Sequence, residues 1–96
     1  MTSKQRAYLK KLANTCEPIF QVGKSSVTPE LIEAISDALE ARELIKLSVL
    51  KNCADDPNEI AQVIAGRSRC EVVQVIGKKI ILYKESKNKK RIELPK

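Results

Sequence analysis

The last third of the chain sets the tightest limit on its fold. Glu71-Val72-Val73-Gln74-Val75-Ile76 and Lys79-Ile80-Ile81-Leu82-Tyr83-Lys84 are β-prone runs joined only by Gly77-Lys78. A two-residue connection with glycine first marks a tight hairpin with a type II′ turn. Both runs are apolar on both faces, and a strand of that kind needs cover from two sides. The hairpin is therefore expected at the centre of a sheet or covered twice, and the rest of the chain must supply the layers.

The preceding residues contain them. Leu31, Ile32, Ile35 and Leu39 recur at helical spacing, with Glu30, Glu33, Asp37 and Glu40 opposite, so residues 29–42 read as an amphipathic helix. Thr28 can cap it, and Pro29 suits the first helical position, where a missing N–H loses nothing. Residues 3–14 read as a shorter helix with Ser3 as cap, Asn14 near its end, and Ala7, Tyr8, Leu9 and Leu12 as the apolar set. Residues 16–22 read as a strand in which Pro18 argues for an edge position or for pairing that begins after it, and residues 44–50 as a second, with Ile45, Leu47 and Val49 on one side. Asp56 and Pro57 can start a third helix with Ile60, Val63 and Ile64 inward, ending near Gly66.

The order is α-β-α-β-α-β-β, and the economical fold is an α/β (α+β) four-stranded mixed sheet with three helices. Strands separated by helices imply parallel pairing through right-handed crossovers, and the hairpin adds an antiparallel pair. Burying Leu31, Ile32, Ile35 and Leu39 at about 1.5–3 kcal/mol each would hold the loop before the helix firmly at one end of the sheet. The 96 residues suffice for one domain, 1–96, with a basic, partly mobile tail over 85–96.

Several function classes are excluded or weakened. No apolar run reaches transmembrane length, and Met1-Thr2-Ser3-Lys4 leads into no hydrophobic signal core, so a cytoplasmic protein is expected. Cys16, Cys53 and Cys70 are odd in number, far apart and without any histidine, which points to reduced, packed thiols rather than disulfides or zinc. Without histidine the common general-base arrangements are missing, and no Ser or Cys has an evident activating partner, so no enzyme activity, cofactor or metal is expected. Asp55-Asp56 beside Pro57 read as a helix start rather than a magnesium site.

Charge is more informative. The net charge is +6, distributed as +4 over residues 1–28, −5 over 29–62 and +7 over 63–96. If the two basic ends meet in space they form a directional surface that attracts a polyanion. The alternative is a set of solvated faces kept charged for solubility. Tyr8, Phe20 and Tyr83 are the only aromatic residues, too few for a base-stacking platform, so recognition of a nucleic acid would rest on phosphates, sugars and shape.

The stretch Val22-Gly23-Lys24-Ser25-Ser26-Val27-Thr28-Pro29 is the best candidate contact. Gly23 frees the backbone, Lys24 supplies a cation, and Ser25 and Ser26 supply donors beside the positive end of a helix dipole. Taken alone, these residues read more simply as an ordinary strand-to-helix turn. They lack the spaced glycine of a nucleotide-binding phosphate loop.

Four blocks settle the matter differently: Gly23-Lys24-Ser25-Ser26-Val27-Thr28-Pro29-Glu30, Ala41-Arg42-Glu43-Leu44-Ile45-Lys46, Val73-Gln74-Val75-Ile76-Gly77-Lys78 and Ile92-Glu93-Leu94-Pro95. Together, and at this spacing, they closely resemble the CRM domain (chloroplast RNA splicing and ribosome maturation), in particular its small stand-alone bacterial YhbY-like members. The resemblance implies a fold similar to the C-terminal domain of translation initiation factor 3. It also implies RNA binding, with bacterial members associated with large-subunit precursors and plant relatives acting in organellar group II intron splicing. The family's hallmark is a Gly-x-x-Gly loop between the first strand and the next helix, analogous to the loop by which KH domains hold a nucleic-acid backbone. Gly23 matches its first glycine, whereas Ser26 stands where the second is usual. If that position needs positive φ, serine costs on the order of 1–2 kcal/mol against glycine; otherwise the loop relaxes and the Ser26 hydroxyl faces a phosphate.

The expectation is thus a monomeric, non-enzymatic protein that binds structured ribosomal RNA in 50S subunit assembly. Gly23, Lys24, Ser25 and Ser26 would clamp a phosphate, and Lys4, Arg6, Lys10 and Lys11 would widen the footprint. Arg67, Arg69, Lys78, Lys79 and the tail residues Lys87, Lys89, Lys90 and Arg91 are further candidates. The rival is a protein–protein adaptor whose acidic helix face, 30–40, docks a basic ribosomal protein.

Overall fold

A computed structural model describes all residues, 1–96. The elements are α1 (Ser3–Ala13), β1 (Pro18–Val22), α2 (Pro29–Arg42), β2 (Leu44–Val49), α3 (Pro57–Ser68), β3 (Glu71–Ile76) and β4 (Lys79–Tyr83), the expected order. Gly77 turns the hairpin at φ 56, with no positive φ at Lys78, as a type II′ turn requires.

The sheet order is β1-β2-β4-β3. β1 pairs with β2 in parallel, and β1 is an edge strand, in keeping with Pro18. The second crossover differs from expectation. β3 is not beside β2, because β4 inserts between them and pairs antiparallel with both. The reason lies in the hairpin: β4 carries the strand face that is buried twice, with Ile80 and Leu82 in one cluster and Ile81 and Tyr83 in the other. A central place buries all four, whereas β3 exposes Glu71 and Ile76 at its ends.

Two layers cover the sheet. On one face Ile35 and Leu39 of α2 and Ile60, Ala61 and Ile64 of α3 pack against Val22, Ile45, Leu47, Val49, Ile80 and Leu82. On the other, Leu9 and Ala13 of α1 pack against Leu44, Val73, Ile81 and Tyr83. The inward stripe of α1 is Leu9, Leu12 and Ala13, at i, i+3 and i+4, joined past the helix by Cys16, so Ala7 and Tyr8 are exposed, contrary to the sequence reading. Its cap is Thr2 rather than Ser3: Thr2 Oγ1 accepts from Gln5 N–H and Gln5 Oε1 accepts from Thr2 N–H, a reciprocal capping box. In α3 the third inward position is Ala61, and Val63 is 41% exposed. That helix also passes Gly66 and ends at Ser68, because Arg69 takes the left-handed conformation that closes it.

Residues 85–96, expected as a partly mobile tail, are laid across the sheet by two carboxylates. Glu43 is completely buried and accepts hydrogen bonds from the backbone N–H groups of Ser86 (2.8 Å), Arg91 and Ile92 (2.7 Å). Glu40 accepts from the Ser86 hydroxyl and from the N–H groups of Lys87 (3.0 Å) and Asn88 (3.1 Å). Ile92 and Leu94 then pack on the α1 cluster, and Gln5 Nε2 donates to Pro95 O. The two basic ends of the chain therefore do meet, on the α1 face.

Candidate functional site

Strand direction decides what gathers around the loop after β1. β1 and β2 are parallel and end together, β4 starts at that end, and β3 finishes there. Leu50 N–H donates to Val22 O (2.9 Å) and Val49 N–H to Lys78 O (2.7 Å), which ties the three connections side by side. Lys24, Lys51, Lys78 and Lys79 emerge there, all exposed. The structure's one ion pair joins Lys90 to Glu85, so none of these four is neutralised by a carboxylate. Lys51 was absent from the sequence expectation. Its signal was available in the parallel pairing of β1 with β2, which sets the residues after Val22 beside those after Val49.

The loop itself is a tight turn: Ser26 N–H donates to Gly23 O (2.9 Å). Ser26 has φ 55, so the fold demands left-handed backbone at the position where Gly-x-x-Gly loops carry their second glycine. The loop has not relaxed around serine; it carries the strain of about 1–2 kcal/mol. The freedom expected of Gly23 is not used, since its φ is not positive and a Cβ there would lie 3.6 Å from Asn52 Oδ1 and Leu50 Cδ1, an ordinary contact. Thr28 caps α2 as expected, its hydroxyl accepting from Leu31 N–H (3.1 Å). Pro29 has no N–H, and those of Leu31 and Ile32 bond to Thr28, so in the first turn of α2 only the Glu30 N–H is left, just past the loop at the positive end of the helix dipole.

The other predicted cations divide into groups. Lys4, Lys10 and Lys11 are exposed on α1, whose contact residues Leu44 and Tyr83 lie four residues along the strands from Ser48 and Lys79. That separation is about 13 Å. Ile81, between them, is still buried in the α1 cluster, and past it the face opens toward the end of the strands. Lys46, opposite Ile81, and the cross-strand row Gln21, Ser48 and Lys79 lie on it, and Lys79 Nζ donates to Ser48 Oγ (2.9 Å). Arg6 is not displayed with them. Its Nη1 donates to the carbonyls of Val72 and Val73 (2.9 Å for the latter), at the break in the β3–β4 register between Val72 and Gln74. Arg69 closes the far end of α3, away from the loop. Arg67 lies on a groove of about 290 Å³ that runs from Ser26 and Val27 along α3 and also carries Asp55 and Glu59.

The acidic helix face is also divided. Glu30, Glu33 and Asp37 are exposed, while Glu40 is spent on the tail. The Ser86 hydroxyl, then the Lys87 and Asn88 N–H groups, hold the Glu40 carboxyl down at about 2. Burial alone would raise the Glu43 carboxyl, but the N–H groups of Ser86, Arg91 and Ile92 outweigh it and keep it below the ordinary value. Cys70 is half-buried, and burial pushes its thiol up to about 11, far from a reactive thiolate. No group of His, Cys, Asp and Glu side chains could hold a metal ion, and no helix is long and apolar enough to cross a membrane.

Comparison with known proteins agrees with this geometry. The chain is 53% identical over 95 residues to the Bacillus subtilis protein named "Probable RNA-binding protein YqeI", covering 99% of each. It is 31% identical over 96 residues to an RNA-binding protein of Haemophilus influenzae, covering all of this chain and 96% of the other. The solution structure of a hypothetical protein from Staphylococcus aureus is similar at a TM-score of 0.82 and 49% identity, over 99% of both chains. Residues 1–84 match the model of the CRS1 / YhbY (CRM) domain, and with the Gly23–Ser26 turn leading into a capped helix at one end of a β1-β2-β4-β3 sheet, the chain belongs to that family.

Proposed function

We propose that the protein binds structured RNA without catalysing a reaction, holding the sugar–phosphate chain at the turn 23–26. The observation that carries this reading is the gathering of Lys24, Lys51, Lys78 and Lys79, none of them in an ion pair, at the end of the sheet where the turn 23–26 leads into α2. Four cations and a helix dipole at one sheet end form a site for successive phosphates rather than for one small anion. The uncovered sheet face with Lys46 and Lys79 extends the footprint toward Lys4, Lys10 and Lys11 of α1 and toward the docked tail with Lys87, Lys89 and Arg91. Arg6 and Arg69 are left out of it, the first by its hydrogen bonds and the second by its distance along α3.

The relatives named as RNA-binding proteins support the same class of partner. Within it, ribosomal RNA of the large-subunit precursor is the substrate we assign, bound by a monomer in the cytoplasm. The rival adaptor reading loses strength because Glu40, one of its four carboxylates, holds the tail. The test is a filter-binding titration against large-subunit ribosomal RNA at low salt. Lys24→Glu should weaken binding at least tenfold with an unchanged circular dichroism spectrum. The log–log salt dependence of the native protein should fall by roughly 0.7–0.9 per phosphate contact. Unchanged affinity in Lys24→Glu would remove the turn from the mechanism. Crosslinking in cells and sequencing the attached RNA identifies the particle.

A further inference from the structure

Val63 and Gly66 are out of keeping with the rest of α3. Val63 is a large apolar side chain left 41% exposed one turn after Glu59. Gly66, one turn further on the same side, sits inside the helix, where glycine destabilises relative to alanine. Nothing in the protein explains it, for a Cβ there would meet no atom within 4 Å. Both observations point outward, to something that comes close to this face from solvent.

Val63 lines the groove that starts at Ser26, with Glu59 and Arg67 on either side of it along α3, and Gly66 lies beside that lining. The groove's apolar surface is Val27, Ile60 and Val63, and its polar groups are the carboxylates of Asp55 and Glu59 and the guanidinium of Arg67. Helical side chains lean toward the N-terminus, which carries Arg67 back over Val63 toward Glu59. Asp55, Glu59 and Arg67 form no ion pair and no side-chain hydrogen bond within the protein, so their donors and acceptors are free for a ligand. Two carboxylates repel a phosphate chain, yet the groove opens at the very turn assigned to one. The part of an RNA strand that fits is a neutral base, turned in beside a backbone that stays on the turn.

We infer that this groove takes a single unstacked guanine of the RNA strand held at residues 23–26, an inference that rests on that proposed function. Guanine presents N1–H and N2–H as adjacent donors, which one carboxylate accepts in parallel, and O6 and N7 as acceptors for a guanidinium. Adenine and cytosine each set an acceptor beside their amino group, and uracil flanks its one N–H with two carbonyls, so each opposes a carboxylate with a lone pair. The apolar wall desolvates the hydrogen bonds and receives the base faces without an aromatic platform. The protein then reads one base in addition to shape and phosphates.

Fluorescence anisotropy with short uridine-rich single-stranded RNAs that differ at one central base provides the test. Guanine at that position should bind about tenfold or more tighter than adenine, and inosine, which lacks the N2 amino group, should fall between. The double variant Asp55→Asn, Glu59→Gln should abolish the preference while holding or raising affinity for the adenine oligomer, because two negative charges are lost. Gly66→Leu, which improves the helix, should weaken the preference by crowding the approach to the groove beside Val63 and Arg67. Lys24→Glu should weaken all oligomers alike. Equal affinity for the four bases, or a preference that survives the double variant, overturns the inference while leaving salt-dependent RNA binding intact. Displacement by guanosine monophosphate at oligomer concentrations would make the groove a nucleotide site and overturn its assignment to a strand. The absence of salt-dependent binding to these oligomers would overturn this inference, and its absence with large-subunit ribosomal RNA as well would overturn the function beneath it.

Discussion

Replacing Glu43 by glutamine is expected to lower the unfolding free energy by about 3 kcal/mol and to free the end of the chain. The side chain is fully buried and accepts three backbone N–H groups, with Oε2 facing Ser86 and Oε1 facing Arg91 and Ile92. Hydrogen bonds to a charged acceptor contribute about 1.5–3 kcal/mol each, against about 0.5–1.5 for a neutral one. Glutamine keeps a single acceptor oxygen and turns an NH2 group toward at least one of the donors. The loss is bounded because the tail can leave instead, giving up the packing of Ile92 and Leu94 and returning its amides to water. The same residue holds φ 67, ψ −39, a conformation that only glycine enters cheaply. Glu43→Gly should therefore be more stable than Glu43→Ala by about 1 kcal/mol, although both lose the carboxylate. Urea unfolding measures the differences, and hydrogen exchange at the amides of Ser86, Arg91 and Ile92 reports the release. A loss below about 1 kcal/mol in Glu43→Gln, with those amides still protected, would refute the role given to this carboxylate.

The pH dependence follows from the same pair. Both carboxyls are depressed in the folded protein, so their stabilisation is present above the unfolded value of 4.5 and is lost as pH falls through the folded values, about 2 for Glu40. Denaturant midpoints measured from pH 6 down to pH 2 should decline in the native protein and flatten in Glu40→Gln, Glu43→Gln. Ser26→Gly should relieve the left-handed strain at φ 55, leave stability unchanged or raised by up to about 1 kcal/mol, and tighten RNA binding by letting the backbone approach a phosphate closely; weaker binding would count against a backbone contact there. Ser68→Ala should raise stability by about 1 kcal/mol, because the Ser68 hydroxyl is buried without a hydrogen-bond partner; a loss of stability would show that the hydroxyl is satisfied in solution.

Much of the fold was legible because it depends on neighbours in sequence. Thr28 and Pro29 start α2, Gly77 turns the hairpin, and the periods of 3.6 and 2 separate helices from strands, all through contacts within a few residues. The errors came where equally apolar neighbours competed. Val63 and Ala61 lie on either side of the α3 stripe, and the sheet selected the smaller residue; Tyr8 and Leu9 competed likewise on α1. Local pattern could place Ser26 in the loop but not its φ, which is set by the turn that returns its N–H to Gly23 O.

The sequence by itself determined the kinds and order of the elements, the turn before α2 and its lysine, since caps, periodicity and turn chemistry act over one or two helical turns. Only the tertiary structure decided that β4 divides β2 from β3, that Lys51 stands with Lys24, and that Arg6 is turned inward. It also decided that Glu40 and Glu43 bind a tail more than forty residues away. Those outcomes rest on pairings between distant segments, whose energies arise only when burial brings the partners together, and no local window of residues contains them.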